Sequence, residues 1–160
     1  MREIDKEIRK ENSSSLKEGL EKMDVKLIDI SQLKGHEQTR EERLMELKQS
    51  VLDRGLNQPI TVDKDTNVII DGHHRTEVFK RLSITHIPVF YVDYFNASII
   101  ISDKNVTKEE VIAKANSGSL YPSKTTKHMY LSKQGPVPIA TLTPKIDLKI
   151  SHLKNVLSEE

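Results

Sequence analysis

The stretch that most constrains this chain is residues 67–82, Asn-Val-Ile-Ile-Asp-Gly-His-His-Arg-Thr-Glu-Val-Phe-Lys-Arg-Leu, because its apolar period changes midway. Val68, Ile69 and Ile70 are β-branched and suit a buried strand, whereas Val78, Phe79 and Leu82 recur at helical spacing. Gly72 falls at the change. The pattern predicts strand, tight turn and helix, with glycine where the backbone must take positive φ or approach another group closely. The first N–H groups of that helix lack intrahelical partners and offer a place for phosphate, with His73, His74 and Arg75 as surrounding donors. Asp-Gly also opens hairpins, but a helical pattern follows here. Neighbouring histidines project to different sides of a chain, which disfavours a metal held by His73 and His74.

A length of 160 residues suits one compact domain with short extensions. With 25 basic and 24 acidic residues the net charge is +1, so no global field draws nucleic acid or membrane to the surface. The absence of cysteine excludes disulfides, thiolate chemistry and cysteine-based zinc sites. Neither a secretory leader nor a long apolar span is legible, and a cytoplasmic protein is expected.

In chain order, residues 1–23 are rich in Lys and Glu and are expected to form a charged extension. The alternation in residues 25–30 predicts a strand, with His36-Glu37 ending the loop that leaves it. Thr39-Arg40-Glu41-Glu42 has the form of a capping box, with Thr39 as N-cap. It opens a helix whose Leu44, Leu47, Val51 and Leu52 share an apolar face and which Gly55 closes. Taken alone, Glu37 is a loop carboxylate favoured by the helix dipole. Residues 59–62 predict a strand that returns through 68–70 and delivers Asp71 to a pocket edge. Residues 87–94 form the strongest strand pattern, entered through Pro88. Residues 99–101 add another, before a second capping box at Thr107 and a helix ended by Gly118.

The segment Tyr121-Pro122-Ser123-Lys124-Thr125-Thr126-Lys127-His128 follows. Its hydroxyls, backbone N–H groups and cations make it a candidate phosphate loop, although an exposed connector has the same composition. No apolar side chain lies between Pro122 and Met129, so the loop is expected to be ordered by phosphate. Residues 129–160 are expected to be a C-terminal extension packing on the domain, with an alternation over 139–150 that suits one more strand.

Three stretches together resemble one family. Asp71-Gly72-His73-His74-Arg75, the His36-Glu37 pair and the Lys-Thr-Thr-Lys-His run at 124–128 are similar to motifs of the free serine kinases of the ParB/sulfiredoxin-like fold. The resemblance covers roughly residues 25–128, with Tyr-Pro-Ser-Lys standing where many relatives have two prolines. It implies an α/β (α+β) single domain over residues 24–128, a small mixed sheet with packed helices. It further implies phosphoryl transfer from ATP or ADP to free L-serine. Glu37 and Asp71 would be catalytic, His36 and Glu37 would contact serine, and Asp71 would hold Mg²⁺. Gly72, His73, His74, Arg75, Ser123, Lys124, Thr125, Thr126, Lys127 and His128 would bind nucleotide phosphates. The competing expectation is a ParB-like nucleotide-binding module without kinase activity, serving DNA or protein binding or acting as a nuclease. Sulfiredoxins need a catalytic cysteine that is missing here, and the Gly-Glu-Arg-Arg-like box of chromosome-partition proteins is replaced by Gly72-His73-His74-Arg75.

Overall fold

The structure is a computed structural model that describes residues 15–153. Residues 15–22 are helical, and β1 (Val25–Asp29) runs into a 3-10 turn, Ile30–Gln32. Helix α1 (Glu41–Arg54) precedes β2 (Ile60–Asp63) and β3 (Ile69–Asp71), then α2 (His73–Arg81) and β4 (His86–Val92). The chain continues through β5 (Ile99–Ile101), α3 (Lys108–Ser117), β6 (His128–Ser132), β7 (Gly135–Pro138) and a second 3-10 turn, Ile139–Leu142. One sheet has the order β1-β4-β2-β3, with β2 parallel to β4 and the other pairs antiparallel. The other, β5-β6-β7, is antiparallel. This is the mixed α/β domain that the resemblance implies, with a second, antiparallel sheet beside the small mixed one.

Strand side chains alternate between faces, and the main sheet uses both. Ile69 joins Ile60, Val62, Val78 and Phe79 in one apolar core, whereas its neighbours Val68 and Ile70 join Tyr94, Val111 and Ile139 in another. A strand buried on both sides reads as a continuous apolar run, which is why residues 68–70 carry no alternation. Pro88 sits in the interior strand β4, but the parallel ladder to β2 begins one residue later, at Val89. The missing N–H therefore costs no bond on that side.

The strand-turn-helix is present as predicted. Gly72 is the N-cap of α2, with φ 117° and ψ 24°. A Cβ there would lie 2.3 Å from Ile60 Cγ2, so close approach and positive φ both demand glycine. Gly55 ends α1 for the same two reasons, since a Cβ would meet the Leu148 carbonyl oxygen at 2.4 Å and φ is 78°. The capping box at Thr107 also forms in part, its Oγ1 accepting from Glu110 N–H at 3.1 Å.

Three expectations are corrected. Arg40, not Thr39, is the N-cap of α1, and it makes no side-chain cap bond. Its extended backbone is fixed from outside, because Arg40 N–H donates to His74 Nε2. Leu52 lies 48% exposed, outside the face formed by Leu44, Leu47 and Val51. The alternation over 139–150 is a 3-10 turn followed by a chain that meets Leu56 in one isolated bridge at Leu148, while Ile146, Leu148, Ile150 and Leu153 are buried in the first core. Strands β6 and β7 had no distinct sequence signal. At the other end Leu16 and Leu20 pack on the first core, and residues 1–14 of the expected extension lie outside the described residues.

A polar seam lies near the second core. His36 and His128 are buried, with Tyr94 Oη 2.7 Å from His128 Nε2 and the His36 and His73 rings in edge contact at 4.5 Å. Burial disfavours the imidazolium, holding His36 down to about 4, His128 to about 3 and His73 well below its ordinary range.

Two predictions follow from this packing. Gly72→Ala combines a positive-φ penalty with a clash against Ile60 and should cost about 3 kcal/mol of stability, read by urea unfolding. A change below 0.5 kcal/mol would mean that α2 can start elsewhere. The second concerns pH. Above pH 6.5 the histidines are neutral folded or unfolded, but below it the unfolded chain binds protons that the fold excludes. Stability should therefore fall between pH 6.5 and about 4, by about 2 kcal/mol at pH 5 for each histidine held neutral. Equal unfolding midpoints at pH 7.5 and 5.0 would refute neutral burial.

Candidate functional site

A cleft of about 630 Å³ opens at the N-terminus of α2. Glu37, Asp71, Gly72, His73, His74, Arg75, Ser123, Lys124, Thr126, Lys127 and His128 all line it. Segments far apart in sequence thus meet at one place. His36 is fully buried behind the cleft, and the Thr125 hydroxyl turns back to the Pro122 carbonyl at 2.7 Å, so neither is on the wall.

The two imidazoles of the central motif are fasteners. His73 Nε2 accepts from His36 N–H at 3.0 Å, and His74 Nε2 accepts from Arg40 N–H at 3.1 Å. Both rings thereby carry their proton on Nδ1 when neutral. The segment between β1 and α1 is stapled to the start of α2, and Glu37 is carried with it. Burial and the nearby Arg43 charge lower the pKa of His74, which favours its neutral form.

Glu37 is the hub of the loop. Its Oε1 accepts from Lys124 N–H at 2.8 Å, and its Oε2 accepts from Thr126 N–H at 3.1 Å and from the Thr126 hydroxyl. Residues 36–38 also run beside Tyr121, which donates its N–H to the His36 carbonyl and accepts from Gln38 N–H, both at 2.8 Å. A loop without apolar side chains is thus held by a carboxylate and by backbone pairing. Lys124 takes φ 66° within it, a left-handed turn that lets successive N–H groups converge.

Arg75 is anchored more deeply than its motif position suggests. It donates to the carbonyls of Gln58 and Pro59 at 3.2 and 2.9 Å, and to Asp71 Oδ2 at 2.9 Å. Its role in the fold is to tie β3 to the start of β2 and to aim Asp71. The Asp71 side chain remains 40% exposed, with only Oδ2 engaged.

The sequence reading missed one wall. Arg43, Leu47, Ser50, Val51 and Arg54 share a face of α1 and line the cleft, with Asn57 and Gln58 beyond and Pro138, Ile139 and Ala140 closing it. The available signal was the pair of arginines flanking Leu47 and Val51 at helical spacing. Arg43 is 59% exposed and among the described residues makes only a 3.9 Å ion-pair contact, with Glu46, so its guanidinium can turn to a ligand. A second acidic group, Asp63, Asp65 and Asp93, lies away from this cleft, and both oxygens of buried Asp63 are already bonded, to Tyr94 N–H and to the Thr66 hydroxyl. Among the described residues no helix is long and apolar enough to cross a membrane.

Comparison with known proteins agrees with this architecture. An ATP-dependent L-serine kinase of Staphylothermus marinus is 32% identical over 78 residues, 46% of this chain and 31% of the relative. Its counterpart in Desulfurococcus mucosus is 33% identical over 78 residues with the same coverage, so the match spans about a third of either relative's length. A solved free serine kinase in complex with AMP superposes with TM-score 0.68 at 18% identity, covering 82% of this chain and 94% of that one. SbnI with a C-terminal truncation, from Staphylococcus aureus, gives TM-score 0.59 at 16% identity over 85% and 95% of the two chains. At these identities the likeness establishes the fold. The ParB N-terminal domain family matches residues 9–102, more than half of the sequence, and the chain belongs to that family.

Proposed function

We propose that this cleft transfers a phosphoryl group from ATP or ADP to the hydroxyl of free L-serine, giving O-phospho-L-serine. The observation that carries the reading is Glu37, a carboxylate held in the same cleft as the open N–H groups at the start of α2. Phosphoryl transfer asks for an oriented acceptor and neutralised phosphate charge more than for covalent chemistry. The α2 N-terminus, His74 Nδ1–H, Lys124 and Lys127 supply donors for phosphate oxygens. Arg43 adds a mobile cation from the opposite wall. Glu37 accepts the serine proton or orients its hydroxyl. The names and bound nucleotide of the similar proteins support this choice, and a cytoplasmic setting with free nucleotide and serine suits it.

The donor set fits Mg²⁺. Asp71 Oδ1 has no protein partner among the described residues, and a single carboxylate with water and phosphate oxygens is an ordinary Mg²⁺ environment. The ion would supply charge neutralisation on the phosphates. Arg75 then serves by holding Asp71 in direction, and of the two α1 arginines that line the cleft, Arg43, beside His74, is the one that reaches the nucleotide.

Purified protein incubated with Mg²⁺, L-serine and either ATP or ADP should yield phosphoserine by mass spectrometry. Glu37→Gln should lower turnover by about 10²-fold or more while nucleotide still binds. Lack of product from the unaltered protein with both donors would instead favour the binding-module reading, in which Glu37 serves only to tie the loop. The two arginines should separate. Arg43→Ala should weaken nucleotide binding about tenfold with little change in stability. Arg75→Ala leaves two carbonyls and Asp71 unpaired and should cost about 2–3 kcal/mol in unfolding. Calorimetric affinity and urea midpoints measured on both variants check this, and equal effects on both quantities would refute the division.

A further inference from the structure

Proton counting around Glu37 leads beyond the residues in contact with substrate. An ionised carboxylate only accepts, so the short contact between Thr126 Oγ1 and Glu37 Oε2 uses the single hydroxyl proton of Thr126. His36 Nε2 lies 2.7 Å from the same Oγ1, which has no second proton to give. The imidazole must therefore donate, and neutral His36 is the Nε2–H tautomer. Its Nδ1 makes no bond of hydrogen-bond geometry among the described residues, although the Ile69 backbone lies close enough to act on the ring. The result is a directed chain, His36 Nε2–H to Thr126 Oγ1–H to Glu37 Oε2.

The chain also selects one carboxylate oxygen. Oε2 accepts from both the N–H and the hydroxyl of Thr126, whereas Oε1 accepts only from Lys124 N–H. The spare lone pair belongs to Oε1. Glu37 is 12% exposed at its side chain, so its carboxylate is oriented by these protein donors more than by solvent.

We infer that Thr126 is a positioning residue for Glu37, braced in turn by His36, and that the pair reserves Glu37 Oε1 for the acceptor hydroxyl. This role rests on the phosphoryl-transfer reading. In the step, the serine hydroxyl proton passes to Glu37 Oε1 while the serine Oγ–P bond forms. The bond from phosphorus to the bridging oxygen breaks, and the nucleotide leaves with that electron pair. Thr126 and His36 keep their protons throughout. His36, placed by its motif among serine contacts, works from behind the cleft.

The test pairs kinetics with a readout that needs no turnover. Long-range ¹H–¹⁵N spectra of the imidazoles in the unliganded protein should show His36 protonated at Nε2 and bare at Nδ1. Thr126→Val removes the hydroxyl at constant shape and should lower kcat by about 10–100-fold, with nucleotide KM changed less than threefold. Thr126→Ser retains the hydroxyl and should stay within threefold of the unaltered protein. An Nδ1–H tautomer for His36, full activity in Thr126→Val, or a Ser variant as impaired as the Val variant would each overturn the role. Absence of phosphoserine from the unaltered protein would overturn it too. An Nε2–H signal in that case locates the failure in the assigned reaction, whereas an Nδ1–H signal locates it in the hydrogen-bond chain.

Discussion

Everything at this site depends on two backbone N–H groups donated to two imidazoles. His36 and Arg40 hand their N–H groups to His73 and His74, the first two residues of α2. These bonds join a loop between β1 and α1 to a helix N-terminus more than thirty residues further along. A backbone donor away from solvent is expensive to leave unmade, which applies to the part-buried bond at His73, while the exposed bond at His74 adds direction more than energy. The spacing of the two bonds also fixes the segment's direction, because one holds it just before Glu37 and the other just after. Adjacent histidines in this motif are therefore structural first, and their contribution to a ligand is what remains on Nδ1.

The second dependence is on Glu37 itself. The amides of Lys124 and Thr126 converge on its carboxylate, in the manner that a loop converges on a phosphate. A loop expected to be ordered by a ligand's negative charge is thus held by a charge from its own chain. One carboxylate cannot serve the loop with all its lone pairs and also receive a proton. The hydrogen-bond count leaves one lone pair over, on Oε1, and the two tasks are compatible only through it.

Legibility in the sequence followed the range of the interaction. The turn at Gly72, the stop at Gly55 and the cap at Thr107 are local rules of backbone sterics and side-chain reach, and they hold in the fold. Thr39 fails as a cap because a histidine from another element takes Arg40 N–H and moves the helix start by one residue. Strand β6 is specified by pairing with β5, and β7 by pairing with β6, rather than by their own weak pattern, with two prolines in β7. At the site, the central motif was legible from its polar cluster, whereas His36-Glu37 and the run at 124–128 stood out only through the family they resemble. The direction of their side chains was not legible. Arg75 reads as a phosphate ligand from its neighbours in sequence, yet the carbonyls of Gln58 and Pro59 claim it. The α1 wall stayed hidden because Leu47 and Val51 fit an ordinary core stripe equally well.

The buried histidines narrow the choice of proton acceptor for the proposed transfer. His36 and His128 are held to pKa values of about 4 and about 3, and His73 lies well below its ordinary range, so near neutral pH these rings resist taking a proton. His74 has its one acceptor nitrogen taken by Arg40 N–H, and lysine and arginine side chains are donors, which leaves the two carboxylates of the cleft. Asp71 is committed to Arg75 and suits a cation, whereas Glu37 keeps a lone pair free and is braced from behind. A loose transition state places little charge on the acceptor oxygen and asks more for alignment than for a strong base. A carboxylate with a fixed orientation meets that requirement, and the same neutral seam that makes the fold sensitive to acid is what gives it something rigid to lean on.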